Sequence, residues 1–296
     1  MSVFFRSLDI ISIHTVCAAL SSLKHGTHRT IHDRGSNLAS PTKLFSKHNW
    51  FILTSLVSKD FKLKYRRSAL GMFWSVLNPF LMMCVLTAVF SFMFRFDIEY
   101  YPLYLILGTT LFSLMGDSTT NAMNSIVESA PLIKKIRIEK ILFPLEKVVF
   151  QLINYCLSLI AVAVVMIFFQ VVPTINLIFL PLLLLYVLMF SAGLGFLLSA
   201  LVVFFRDISH LWSVVITAWT YATPLFYPMS ILPDWMQSAM NFNPMYQYVT
   251  YLRDIALWGI TPSLEQNLIC FAIGAIMLAL GYLVFRKLQK KFILYV

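Results

Sequence analysis

Residues 70–94 read LGMFWSVLNPFLMMCVLTAVFSFMF and contain no charged side chain. A helix rises about 1.5 Å per residue, so roughly 20 uncharged residues cross the hydrocarbon core of a bilayer. This stretch is long enough to do so. The sequence therefore predicts a transmembrane helix here.

The composition of the whole chain also indicates a membrane environment. Of 296 residues, 59% are hydrophobic and only 12% are charged. A water-soluble fold with so few polar residues could not cover its surface. We therefore expect an all-α integral membrane protein.

Five further stretches have the length and composition of membrane spans. The six predicted spans are Leu70 to Phe94, Leu103 to Ile126, Val148 to Phe169, Leu177 to Phe204, Ile208 to Tyr227 and Asn267 to Phe285. Asp117 is the only Asp, Glu, Lys or Arg within them. An acidic side chain near the bilayer centre costs about 3 kcal/mol, so we expect Asp117 to face protein or water.

The positions of the basic residues predict the orientation, because Lys and Arg are retained on the cytoplasmic side during insertion. With both termini in the cytoplasm, every Lys and Arg except Arg95 and Arg253 lies on the cytoplasmic side. The basic residues lie between apolar stretches and form no single patch, so the net charge of +10 does not indicate a nucleic acid partner. The expected location is a membrane with both termini on its cytoplasmic side.

The first part of the chain is predicted to contain two regions before the permease domain of residues 69–296. Residues 1–42 are expected to be a loosely ordered cytoplasmic N-terminus. Residues 43–68 are expected to form an interfacial amphipathic helix, because Trp50, Leu53, Val57 and Phe61 recur at helical spacing. Such a helix either anchors the chain to membrane lipids or takes part in substrate entry, and the pattern leaves both open.

Two connecting segments are predicted to contain short helices. Between spans five and six, prolines surround two helical stretches, Asp234 to Phe242 and Met245 to Trp258, which we interpret as re-entrant helices on the outer side. Between spans two and three, residues 131–147 mix basic and aliphatic side chains and predict a cytoplasmic amphipathic helix. Its aliphatic residues lie either on the membrane surface or in a groove of a cytosolic partner.

Several short motifs, in this order, resemble type-2 ABC exporter permeases of the polysaccharide and polyol-phosphate branch, which includes O-antigen and teichoic acid exporters. The resemblance covers about residues 45 to 290. One departure is Ile138-Glu139, where members often have Phe-Pro. The motifs are Lys64-Tyr65-Arg66-Arg67-Ser68-Ala69-Leu70-Gly71 with Trp74 and Pro79, Leu132-Ile133-Lys134-Lys135, Phe205-Arg206-Asp207-Ile208, Thr223-Pro224-Leu225-Phe226-Tyr227, Asn243-Pro244 and Tyr251-Leu252-Arg253.

The resemblance implies a homodimeric channel in which each chain supplies six spans, an interfacial helix, a coupling helix and two re-entrant helices. It implies two cytosolic ABC ATPase subunits and an undecaprenyl-linked glycan as substrate, such as O antigen, rhamnan-like wall polysaccharide or teichoic acid. The chain contains no P-loop sequence, so we expect the ATPase to bind ATP and Mg and this chain to carry no cofactor and no enzymatic activity. Its four cysteines are too widely separated for a metal site.

Three sets of residues are candidates for function. The first set would bind the pyrophosphate headgroup of the substrate, because arginine suits phosphate: Lys64, Tyr65, Arg66 and Arg67. Retention of positive charge on the cytoplasmic side alone also explains the basic residues of this set. The second set would line the passage or pack against neighbouring spans: Ser113, Asp117, Thr120, Trp212, Trp219 and Tyr221. The third set would contact the ATPase: Leu132, Ile133, Lys134, Lys135, Ile136 and Arg137.

Two alternatives remain at this point. An ABC exporter of a small drug or lipid would share the architecture. An intramembrane lipid-modifying enzyme would need paired carboxylates or a His-acid pair at one depth, and only Asp117 lies clearly within a span. Gly193-Leu194-Gly195 predicts close helix packing and not nucleotide binding, because it lacks a preceding strand and a third glycine.

Overall fold

The computed structural model describes residues 47–66, 70–94, 98–135 and 138–295. In these ranges all regular structure is helical. The predicted loose N-terminus, residues 1–42, lies outside them. The helices are α1 (Lys47–Tyr65), α2 (Trp74–Phe94), α3 (Tyr101–Glu128), α4 (Ala130–Lys135), α5 (Leu142–Phe168), α6 (Leu180–Val202), α7 (Ile208–Ala222), α8 (Asp234–Met240), α9 (Pro244–Arg253), α10 (Leu264–Leu288) and α11 (Phe292–Tyr295).

Within the described ranges, four helical segments are long and apolar enough to cross a membrane: Gly71–Ser91, Leu142–Phe168, Ile175–Val202 and Leu264–Lys291. They correspond to predicted spans one, three, four and six. The protein is therefore a multi-pass membrane protein built from helices.

The helices at predicted spans two and five differ from these four. Helix α3 has 28 residues but carries Asp117 and several hydroxyl groups. Helix α7 has only 15 residues, about 22 Å of helix, and ends at Ala222 instead of the predicted Tyr227. It ends there because Thr223 is extended, the conformation favoured before a proline such as Pro224.

Helix α3 lies at the centre of the bundle. Its residues Leu103, Leu105, Ile106 and Met115 are fully buried. It packs against α5 and α6, and α2 packs against α3 and α5. In contrast, α2 and α7 each leave one apolar face exposed on the protomer.

Glycine allows α6 and α10 to approach closely. A Cβ atom added at Gly281 of α10 would collide with the backbone of Gly193 in α6. A Cβ added at Gly274 would lie 2.9 Å from the Tyr186 carbonyl oxygen, and one at Gly195 would lie 2.8 Å from the Cβ of Ala122 in α3. The packing role predicted for Gly193 and Gly195 is confirmed.

Helix α1 packs against the start of α5. Its buried residues include Leu53 and Val57, as predicted for the apolar face, but Trp50 is 63% exposed and does not belong to that face. The packed face is set by α5, where Lys147 forms an ion pair with Asp60. Burial would raise the pKa of the Asp60 carboxyl, but the hydrogen bond and charge of Lys147 outweigh it and hold the pKa below its ordinary value.

The segment between α3 and α5 contains a shorter helix than predicted. Helix α4 spans only Ala130–Lys135, and the chain from Leu142 onward already belongs to α5. The half-buried side chains of Leu132 and Ile133 pack against a buried cluster that includes Phe143 and Phe196. These two aliphatic residues therefore contact the bundle itself, an arrangement that neither of the two sequence-based interpretations included.

The segment between α7 and α10 contains the two predicted short helices, α8 and α9. Asn243 caps α9 by accepting hydrogen bonds from the backbone of Met245 and Tyr246, at 3.1 and 3.4 Å. This arrangement is the usual N-cap role of asparagine. A π-helical turn, Asp254–Trp258, extends α9.

Candidate functional site

A polar cavity of about 350 Å³ lies where the end of α1 meets α2, α3 and α5. It is surrounded by helices whose outward faces are largely apolar. Most of the lining residues carry hydroxyl, carboxamide or charged side chains, which is unusual in a bundle of membrane helices. The cavity is open to the surface of the chain, where Lys64, Asn78 and Asp117 are exposed. The lining residues are Lys64, Trp74, Ser75, Asn78, Pro79, Met82, Thr109, Thr110, Ser113, Leu114, Asp117, Gln151, Asn154, Tyr155 and Ser158.

Helical periodicity explains why these residues meet. On α5, Gln151, Asn154, Tyr155 and Ser158 are three or four positions apart and therefore share one face. On α3 the polar residues between Thr109 and Asp117 have the same spacing. The cavity forms beside α2, where these two stripes meet.

Asn154 anchors the end of α1 in this cavity. Lys64 Nζ donates to Asn154 Oδ1 at 2.9 Å, and the Tyr65 hydroxyl donates to the same oxygen at 2.8 Å. The Tyr65 hydroxyl also shares a hydrogen bond with Ser75 of α2. The chain therefore brings a cationic side chain to the cavity and holds it between two membrane helices.

Of the predicted headgroup residues, Lys64 lines the cavity and Tyr65 is bonded at its edge. Arg66 is exposed, and Arg67 lies outside the described residues. Of the predicted lining residues, Ser113 and Asp117 face the same cavity. The wall of one cavity thus contains residues of both the predicted headgroup set and the predicted lining set.

The other predicted lining residues lie elsewhere. Thr120 is half-buried and is not part of the cavity wall. Trp212 is buried, and Tyr221 is 66% exposed. Trp219 packs between Phe112 and Phe190, and its indole Nε1 donates to Asn243 at 2.9 Å. A lining role for these residues stays a prediction.

The sequence interpretation missed eight polar residues of the cavity wall: Ser75, Asn78, Thr109, Thr110, Gln151, Asn154, Tyr155 and Ser158. A signal for three of them was present, because Gln151, Asn154 and Ser158 form a polar stripe at helical spacing in an otherwise apolar span. For Asn78, adjacent to Pro79 in the first motif, no comparable signal existed.

The residues predicted to contact the ATPase differ in their exposure. Lys134 and Lys135 are exposed at the end of α4, whereas Leu132 and Ile133 face the bundle. Ile136 and Arg137 lie outside the described residues. Farther along, Lys140 Nζ donates to the Gln289 carbonyl oxygen at 2.8 Å and lies 5.7 Å from the ring centre of Phe292, which ties this connection to the end of α10.

A second cavity, of about 460 Å³, lies between the opposite end of α2 and the end of α5. Its wall includes Phe80, Met83, Val165 and Phe168 and is almost entirely apolar. Without charged or carboxamide groups it offers little for recognition of a polar ligand. The polar cavity is therefore the candidate site.

Comparison with known proteins identifies the class. Residues 53–257 match the family described as ABC-2 type transporter, and the chain belongs to this family. It is a membrane transport permease, and membership implies that it works with ABC ATPase subunits.

Individual relatives agree on one activity. The chain is 30% identical over 245 residues to an O-antigen export system permease protein RfbA of Myxococcus xanthus, covering 81% of this chain and 94% of the relative. It is 27% identical over 242 residues to a protein of the same name from Klebsiella pneumoniae, covering 81% and 93%.

Proposed function

We propose that this protein is the transmembrane subunit of an ABC transporter that exports an undecaprenyl-linked polysaccharide across the bacterial cytoplasmic membrane. The observation that carries the proposal is the polar cavity with Lys64 at its edge, set in an otherwise apolar bundle. The names of the relatives favour a glycan over a small drug and favour O antigen over the other glycans. Two cytosolic ATPase subunits bind ATP and Mg and supply the energy.

The proposed topology has six crossings with both termini in the cytoplasm. Helix α3 makes the second crossing, and α7 with residues 223–227 makes the fifth. Helices α8 and α9 then re-enter the membrane from the outer side. The distribution of Lys and Arg supports this topology, because it leaves only Arg95 and Arg253 outside.

The pyrophosphate headgroup of the substrate binds near the end of α1, where Lys64, Tyr65, Arg66 and Arg67 are clustered in sequence. Lys64 supports this position because its ammonium group lies in the cavity wall. Lysine and arginine suit phosphate because they donate charge-assisted hydrogen bonds. The cluster lies on the side where the positive-inside rule places the cytoplasm.

A second copy of the chain completes the passage for the glycan. The exposed apolar faces of α2 and α7 support this arrangement, with Leu81 and Val85 on α2 and Leu211 and Val214 on α7. Tyr221, exposed at the end of α7, lies on the surface available to the passage.

The ATPase contacts the exposed Lys134 and Lys135 of α4. Because Leu132 and Ile133 pack against the bundle, a force applied at α4 passes directly to the transmembrane helices. Crosslinks placed at Lys134 or Lys135 are expected to capture the ATPase subunit. If no position between Pro131 and Lys140 captures it, the coupling element lies elsewhere.

Replacing Lys64 and Arg66 together with glutamine tests the headgroup assignment. We expect ATP hydrolysis stimulated by the lipid-linked glycan to fall several-fold, because substrate binding uses these charges. Basal hydrolysis should change little, because the hydrogen bond from Tyr65 to Asn154 still anchors the end of α1. The assay compares both rates for the reconstituted permease–ATPase complex. Lys62→Gln, on the exposed side of the same helix, is the matched control. An equal loss of both rates would reject the headgroup assignment.

A further inference from the structure

Tyr155 stands out in the wall of the polar cavity. Its side chain is 3% exposed, and its hydroxyl has no hydrogen-bond partner among the residues that the structure describes. Buried tyrosine hydroxyls usually have a partner, because leaving one unpaired is unfavourable. The residue lines the cavity, but its hydroxyl oxygen is itself covered by neighbouring atoms. A bound group therefore supplies the missing partner only if the side chains that cover the hydroxyl shift.

The other side chains of the wall are mainly neutral hydrogen-bonding groups. Thr109, Thr110 and Ser158 donate to backbone carbonyls of their own helices, at 2.7, 2.6 and 2.8 Å, which leaves their oxygens free to accept. Asn78 and Gln151 have carboxamides, which both donate and accept. A wall of mixed donors and acceptors suits a neutral ligand with many hydroxyl groups better than a bare anion, which needs donors only.

The cavity also has the size and shape features of a sugar site. Its volume of about 350 Å³ lies in the usual range of about 300–1,000 Å³ for small-molecule sites, which is enough for one sugar. Trp74 lines it and is 46% exposed, so its flat apolar ring is available to the C–H face of a pyranose.

The position of Lys64 connects this wall to the substrate. In a lipid-linked glycan the first sugar is attached directly to the pyrophosphate. A phosphate held at Lys64 therefore places that sugar in the adjoining part of the same cavity.

We propose that the polar cavity of each protomer binds the sugar attached to the pyrophosphate, and that the Tyr155 hydroxyl and the Asn78 carboxamide contribute to its recognition. This inference rests on the proposed function, and it adds a specific sugar-binding site within a single chain.

The test measures binding of two probes to the permease–ATPase complex in lipid nanodiscs. One probe is a short-chain prenyl pyrophosphate, and the other carries a single hexose or N-acetylhexosamine on the same pyrophosphate, tried as a small panel. The quantity of interest is the ratio of the two affinities for each variant. The variants are Tyr155→Phe and Asn78→Ala, and Tyr186→Phe, a buried tyrosine of α6 outside the cavity, is the control.

We expect wild type to bind at least one sugar-bearing probe more tightly than the bare pyrophosphate. Tyr155→Phe is expected to reduce this preference about 3- to 10-fold, the effect of one hydrogen bond, without weakening the bare probe. Asn78→Ala should reduce it similarly, and Tyr186→Phe should match wild type. Because Asn78 is exposed, its replacement does not threaten the fold.

Two results would overturn the inference and leave the proposed function intact. One is equal affinity of wild type for all probes while the Lys64 and Arg66 variant still loses glycan-stimulated ATP hydrolysis. The other is a sugar preference that both Tyr155→Phe and Asn78→Ala leave unchanged, which would mean that the sugar is recognised outside this cavity. If no probe binds and a complete lipid-linked glycan fails to stimulate ATP hydrolysis, the proposed function fails together with the sugar site.

Discussion

Arg253 holds the segment between α7 and α9 against α3, and replacing it with methionine tests this role. The guanidinium is 4% exposed and donates to the carbonyl oxygens of Pro224 and Leu225 at 3.0 Å and of Tyr104 at 3.2 Å. Its Cζ lies 3.3 Å from the ring centre of Tyr104. Arg253 thus supplies hydrogen-bond donors to the carbonyl oxygens of Pro224 and Leu225, which follow the end of α7.

The expected loss of stability follows from the number of carbonyl groups that lose the Arg253 donor. Three buried carbonyls would lose a charged donor, at about 1 kcal/mol each at the low end of the usual range. The low end applies because methionine also removes the cost of burying a charge. We expect a loss of about 3 kcal/mol, or a fall in thermal midpoint of roughly 6–12 °C for a chain of this size.

Thermal unfolding in lipid nanodiscs measures the shift. Arg253→Lys should fall between wild type and the methionine variant, because a single ammonium cannot reproduce the guanidinium fork. Gly108→Ala offers a second route to the same effect, since its Cβ would lie 2.6 Å from Arg253 Nη2. Arg206→Met, at an exposed position, is the control and should change little.

Two results would refute this reasoning. One is a midpoint for Arg253→Met within about 1 °C of the Arg206→Met control, where one kcal/mol would already give a larger shift. The other is full retention of stability by Arg253→Lys, which would mean that positive charge matters and the fork does not.

Two further predictions concern helix packing and pH. Gly281→Ala should destabilise the protein by several kcal/mol, as judged by the thermal midpoint, because its Cβ would meet the backbone of α6 and neither helix can yield easily; an unchanged midpoint would show that the two helices separate readily. The Asp60 pKa lies below its ordinary value of 3.8 because of Lys147 and, less strongly, Lys59, so this contact stabilises the fold above about pH 4 and the stabilisation is lost on further acidification. Asp60→Asn should therefore have a lower midpoint than wild type at neutral pH, and the difference should shrink below pH 4; a difference independent of pH would contradict the assignment.

Much of the fold could be predicted from the sequence because the bilayer imposes a local requirement. A run of about 20 uncharged residues forms a helix wherever it occurs, so spans one, three, four and six were predicted within a few residues. The short helices α8 and α9 were also predicted, since prolines mark their limits. The helix of span five is shorter than predicted, because counting apolar residues through 223–227 ignored the effect of Pro224 on Thr223.

The candidate site was only partly predictable. Lys64 and Asp117 were identified from their charge, yet Lys64 was assigned to a headgroup and Asp117 to a passage. The structure places both in the wall of one cavity, where Lys64 donates to Asn154, 90 residues later in the chain. A polar residue inside a predicted span gives no indication of which helix it faces, so its partners could not be read from local spacing.

The sequence by itself determined the solvent, the helical class, the approximate spans and, through its motifs, the family of the protein. These depend on runs of neighbouring residues, for which hydrophobicity and helical periodicity are sufficient. The tertiary structure alone decided that α1 packs on α5, that Trp50 stays outside that contact, that Leu132 and Ile133 face the bundle and that the polar stripes of α3 and α5 line one cavity. These depend on how helices from distant parts of the chain cross, and close packing of whole surfaces sets those crossings.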